Sequence, residues 1–214
     1  VEAARRVYDF QMNRYLAQRG RMGRDVPLLQ VTDQPWIFYG KGAVVMYLLR
    51  DYIGADAVNA ALRRYFEKHR DGVPPYPTSL DLHAELQSVT PDSLHYLLTD
   101  LFETVTMWDV KTTRAVVAAG KDSGYVVTMD VVARKVRSDS VGNEREVPMN
   151  DLVDVVVYAP DSNDVLYLKQ HRIRGGAQTI QIKVPRQPGR AGIDPHRKLI
   201  DRDSANNVIE VIST

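Results

Sequence analysis

The chain has 214 residues, 44% of them apolar, a net charge of +1 and no cysteine. That balance predicts a packed core and excludes a disordered chain, and it gives no electrostatic case for nucleic acid or an anionic membrane surface. Disulfides, thiolate metal sites and a cysteine nucleophile are excluded outright, and no apolar run reaches the roughly 18 residues of a membrane span.

The first residues, from Val1, already carry a helical pattern and no signal peptide, which reads as an excised or processed fragment. Ala4, Tyr8, Met12, Tyr15 and Leu16 recur at helical spacing, with Arg5, Arg6, Arg14 and Arg19 off that stripe. Gly20 and Gly23 end this helix. A second helix is expected from about Tyr39 to Gly54, a C-terminal cap, and a third from Asp56 to Arg70. "DGVPPYPTS" carries three prolines and breaks the pattern. Thr78 and Asp81 have capping-box spacing, which starts a helix near Ser79. Thr90 before Pro91 predicts an N-cap for a last helix bearing Leu94, Leu97, Leu98, Leu101 and Phe102.

Near Val110 the period shifts from 3.6 to 2. "YVVTMDVVARKV" puts Tyr125, Val127, Met129, Val131 and Ala133 on one face, and "DLVDVVVYA", "VLYLKQH", "TIQIKV" and "NVIEVI" are further strands. Helices first and strands second predict an α+β, two-domain chain: a helical domain over 1–110 and a small antiparallel sandwich over 111–214.

The residues show little overt chemistry. His69, His83, His95, His171 and His196 fall in no zinc-binding spacing; "LHAEL" at Leu82–Leu86 has its glutamate at the wrong offset. "RIRGGAQ" reads as a hairpin turn. The arginine-rich opening reads as a solvated helix face, because stacking aromatics are not interleaved with it. Periodicity makes Tyr39 a half-buried phenol near a helix start, Lys41 an exposed cation, and Gly40 and Gly42 loose entry residues.

The order of "YGKGAVVMYLLRDYIGADAVNAALRRYFEKH" adds to this. It resembles the Y-x-K-G segment and following apolar helix of zinc aminopeptidases of the aminopeptidase N and leukotriene-A hydrolase type. "PPYPTSLDLHAELQSVTPDSLHYLLTDLFETVTMWD" is similar to the branch of that family joined to ABC-type permeases. "DVVARKVRSDSVGNEREVPMNDLVDVVVY" and "AGIDPHRKLIDRDSANNV" resemble the sandwich that follows its catalytic domain. The likeness spans nearly the whole chain.

The resemblance implies a fold and a role. Residues 1–110 would be the helical C-terminal lobe of a thermolysin-like catalytic domain, and 111–214 an immunoglobulin-like sandwich. Tyr39 would be the catalytic tyrosine that donates a hydrogen bond to the oxyanion formed when a zinc-polarised peptide carbonyl is attacked by water. Val44, Val45, Leu48, Leu49 and Ile53 would hold it still, Gly40 and Gly42 would allow close backbone approach, and Lys41 would make a salt bridge. The H-E-x-x-H motif, its glutamate base and the third zinc ligand are not among these residues. Zinc and its ligands would therefore belong to an upstream lobe of the same polypeptide, the partner of this segment, with a peptide as substrate. This chain alone is expected to hold no zinc and to be inactive, with an apolar surface where that lobe docks. The alternative is a degenerate peptidase fold that serves as a non-catalytic binding or scaffold domain on a membrane transporter. A free-standing sandwich with a helical arm that binds protein partners is a third reading.

Overall fold

The computed structural model describes residues 2–120 and 124–213; the side chain of Ala4, assigned to the first helix's stripe, lies outside the described ones. The chain is mixed helix and sheet, with two sheets. It divides into two compact units. A helical unit comprises Val1–Thr106 with Arg137–Glu144, and a strand unit comprises Met107–Val136 with Arg145–Thr214.

In the helical unit, α1 spans Glu2–Met22. Its stripe buries Tyr8, Met12 and Tyr15. Gly20 lies inside the helix, contrary to expectation; Gly23 ends it, at φ +66°, with its N–H donated to the Arg19 carbonyl at 3.0 Å. A six-residue π-helical turn, Trp36–Lys41, then runs without a break into α2, Gly42–Ile53. Gly54 caps α2 at φ +90°. It leads into α3, Ala55–His69.

The capping pair opens α4, Ser79–Val89: Asp81 Oδ2 accepts the Thr78 backbone N–H at 2.7 Å. Thr90 acts in the opposite sense from the one expected. Its hydroxyl donates back to the Leu86 carbonyl at 2.8 Å and so closes α4 instead of capping the next helix. A 3₁₀ turn over Asp92–Leu94, the short α5, His95–Leu98, and a second π-helical turn, Thr99–Glu103, replace the single long helix. Those turns still bury Leu94, Leu97, Leu98, Leu101 and Phe102.

The strands are β1 Val105–Ala119, β2 Tyr125–Ser138, β3 Glu144–Val147, β4 Asn150–Tyr158, β5 Val165–Arg174, β6 Gly176–Val184, β7 Arg190–Ile193, β8 Val208–Glu210 and β9 Ile212–Ser213. One sheet orders β3-β2-β1-β9, with β6 also on β2; the other orders β5-β4-β7-β8. Alternation decides the buried face of β2, where Val127, Met129, Val131 and Ala133 go inward, whereas β4 is buried on both faces from Val153 to Val157. The sheets meet at Trp108 of β1, whose indole N–H donates to Asp151 Oδ2 of β4 at 2.8 Å.

"NVIEVI", expected as one strand, is two. The Val211 N–H donates to the Gly189 carbonyl at 2.8 Å and breaks the ladder, so β8 pairs with β7 while β9 joins β1 in parallel. The β2–β3 connection also departs from the expected partition. Residues 137–144 pack on the helices: Arg137 Nη2 is 2.8 Å from the buried Asp100 carboxylate, and Arg19 donates to Ser138 Oγ at 2.6 Å.

Gly192 shows how tightly β7 and β8 approach. A Cβ there would lie 2.0 Å from the Asn207 carbonyl oxygen, which already accepts from Ile193 N–H and Thr112 Oγ1. Gly192→Ala should therefore lower the stability of the strand unit by about 3 kcal/mol, because backbone and not a flexible side chain must move. Urea denaturation followed by Trp108 fluorescence measures this; an unchanged midpoint would contradict the packing.

Candidate functional site

The π-helical turn sorts its side chains sharply. Ile37, Gly40 and Lys41 are buried, while Phe38 and Tyr39 face out. Tyr39 is 61% exposed, and its hydroxyl makes no hydrogen bond among the described residues. Its ring rests against Phe38, centroids 4.6 Å apart. The phenol is therefore presented on a short, anchored turn and is not sealed in the bundle.

The anchor is local and chemical. Gly40 sits against α1 so closely that a Cβ would be 3.2 Å from Tyr15 Cβ. Gly42 has no such need; a Cβ there would meet only Leu28 at 3.9 Å and a carbonyl oxygen at 4.0 Å. Behind the turn, α2 buries Val44, Val45, Leu48 and Leu49 completely, while Ile53 is only half-buried.

Lys41 is neither exposed nor salt-bridged. Its side chain is fully buried, and Nζ has no hydrogen-bond partner among the described residues. It stands 5.9 Å from the Tyr15 ring centroid. Burial lowers its pKa to about 8; Asp25 opposes that shift and Arg19 adds to it. Tyr15 in turn donates its hydroxyl to Asp25 Oδ2, and its ring stacks on Trp36 at 5.9 Å. Arg19 Nε lies 3.7 Å from the same carboxylate oxygen. Asp25, only 2% exposed, also accepts the Val26 N–H at 2.8 Å. A recess of about 400 Å³ opens beside Asp25, walled by Trp36, Ile37 and Met22.

Asp25 was not singled out from the sequence, and Tyr15 and Arg19 were read only as stripe and solvent face. One signal was available. Lys41 continues the Val44, Val45 and Leu48 face one turn back, so the period that buries those residues also buries the lysine.

The histidines are dispersed among local partners. His83 Nε2 lies 3.3 Å from Glu103 Oε1, His95 Nε2 is 2.9 Å from the Thr90 carbonyl, and His171 Nε2 is 2.6 Å from the Tyr167 hydroxyl. His196 Nδ1 is 3.7 Å from Asp154, which Lys198 Nζ approaches to 2.6 Å, and the His69 ring packs against Tyr65 at 5.1 Å. Among the described residues, no three His, Cys, Asp or Glu side chains converge as metal ligands. No described helix is long and apolar enough to cross a membrane. No family model matches the chain, and no curated protein does.

Proposed function

We propose that this chain is the C-terminal part of a zinc-dependent aminopeptidase. On this reading the helical unit is one lobe of a thermolysin-like catalytic domain, the strand unit is an immunoglobulin-like sandwich, and the reaction is hydrolysis of the N-terminal peptide bond of a peptide. The observation that carries the reading is the outward, unpartnered hydroxyl of Tyr39 on a turn braced from behind. A phenol held in that way can donate to an oxygen that gains negative charge, and it needs no reorganisation when the charge appears.

The described residues offer no donor set for zinc. On this reading the ion is held by an upstream lobe of the same polypeptide, and the isolated chain should be inert. What these residues do is orient one hydrogen-bond donor and shield its base from water. Val7 and Phe10 on α1, each about 60% exposed, together with Phe38 and Tyr39, give the helical unit apolar surface available to such a lobe.

The test is an assay of the intact polypeptide that carries this segment. Hydrolysis of an aminoacyl p-nitroanilide should vanish with a chelator and return when zinc is added. An H-E-x-x-H helix should lie upstream of Val1. A well-folded polypeptide that binds no zinc and hydrolyses nothing would replace this reading with the scaffold one.

A further inference from the structure

The turn that displays Tyr39 carries, two residues on, a charge sealed from water. The groups facing Lys41 come from α1 and the segment after it: the Tyr15 ring, the Arg19 guanidinium and the Asp25 carboxylate. The Asp25 carboxylate and the face of the Tyr15 ring attract the ammonium, but the carboxylate is already engaged by Tyr15 and by the Val26 N–H. For packing alone lysine is a poor choice. A methionine fills much the same space without taking a charge out of water. With a pKa of about 8, most molecules at neutral pH nevertheless keep the charge. Local features that work against stability without a structural return concentrate at sites that chemistry needs.

We propose that Lys41 is a positioning residue for Tyr39, and that its buried positive charge sets the potential in which the phenol's hydrogen bond to a developing oxyanion forms. This rests on the peptidase reading above. Lys41 touches no substrate and transfers no proton. A cation beneath the turn, in surroundings much less polar than water, favours negative charge accumulating at the Tyr39 hydroxyl. The stem packs and the charge acts, so the two contributions separate in a neutral variant of similar volume.

Lys41→Met provides that separation. The pKa of Lys41 falls from 10.5 to about 8 on folding, so between those values the unfolded chain binds more protons. Stability therefore rises with pH across that window and is lowest below it. Lys41→Met should resist urea better than wild type at pH 7, read by Trp36 fluorescence, and the gain should vanish by pH 10.5. In the intact polypeptide the same variant should lose about tenfold in kcat with KM unchanged. Wild-type kcat should fall as pH rises through about 8, and that limb should be absent from Lys41→Met. A less stable variant, an unchanged kcat or a persisting limb would overturn the proposal. Zinc-dependent turnover that Tyr39→Phe reduces and Lys41→Met does not would sink this proposal alone. Wild-type polypeptide without zinc-dependent turnover would remove the peptidase reading and this proposal with it.

Discussion

Tyr39→Phe in the intact polypeptide should lower kcat by about a hundredfold or more and leave the fold untouched. The size follows from the role assigned: one preset donor to a developing oxyanion is worth roughly 3–4 kcal/mol. The selectivity follows from the geometry. The substitution keeps the ring that packs on Phe38 and removes only a hydroxyl that no described residue engages. Nothing in the folded chain loses a partner, so the stability change should stay within about 0.5 kcal/mol. Because the hydrogen bond strengthens as the carbonyl oxygen gains charge, the loss should appear in kcat and hardly in KM. Steady-state kinetics with a matched thermal melt make the measurement. Equal turnover by wild type and variant would leave Tyr39 as a surface tyrosine, and the role assigned to it would have to be given up.

Asp151→Ala should be the most damaging single change in the strand unit, at about 3–5 kcal/mol. One carboxylate serves two buried donors from the opposite sheet: Trp108 Nε1–H at 2.8 Å and Lys135 Nζ at 2.9 Å. Both Asp151 and Lys135 are buried, 3% and 4% exposed, so solvent cannot replace the lost acceptor without opening the core. Replacing both partners by apolar residues of similar size, Lys135→Met with Asp151→Leu, should recover much of the loss, since the pair is dearer to break than to delete. The two tryptophans separate the readouts, with Trp36 in the helical unit and Trp108 in the strand unit. A Trp36→Phe background leaves Trp108 to report the strand unit alone. A cost below about 1 kcal/mol would mean that the pair behaves as a solvated one.

α2 and its Gly54 cap, the Thr78–Asp81 cap and the inward face of β2 were legible because each depends on neighbours within a turn or a pleat. Thr90 was misread because a threonine before proline can cap forward or bond back, and only the buried Leu86 carbonyl decides between them. The split of β8 from β9 depends on Gly189, more than twenty positions from Val211, and no local pattern carries that information.

The site divides in the same way. The sequence by itself determined which residue stands where in the turn: a phenol, a glycine and a lysine entering an apolar helix, together with the resemblance from which a role for Tyr39 was inferred. Tertiary structure alone decided that the phenol faces out while the lysine two residues later is sealed against Tyr15, Arg19 and Asp25. Periodicity fixes the face of a side chain relative to its own helix, but burial and the pKa of a buried cation depend on what other segments bring to that face.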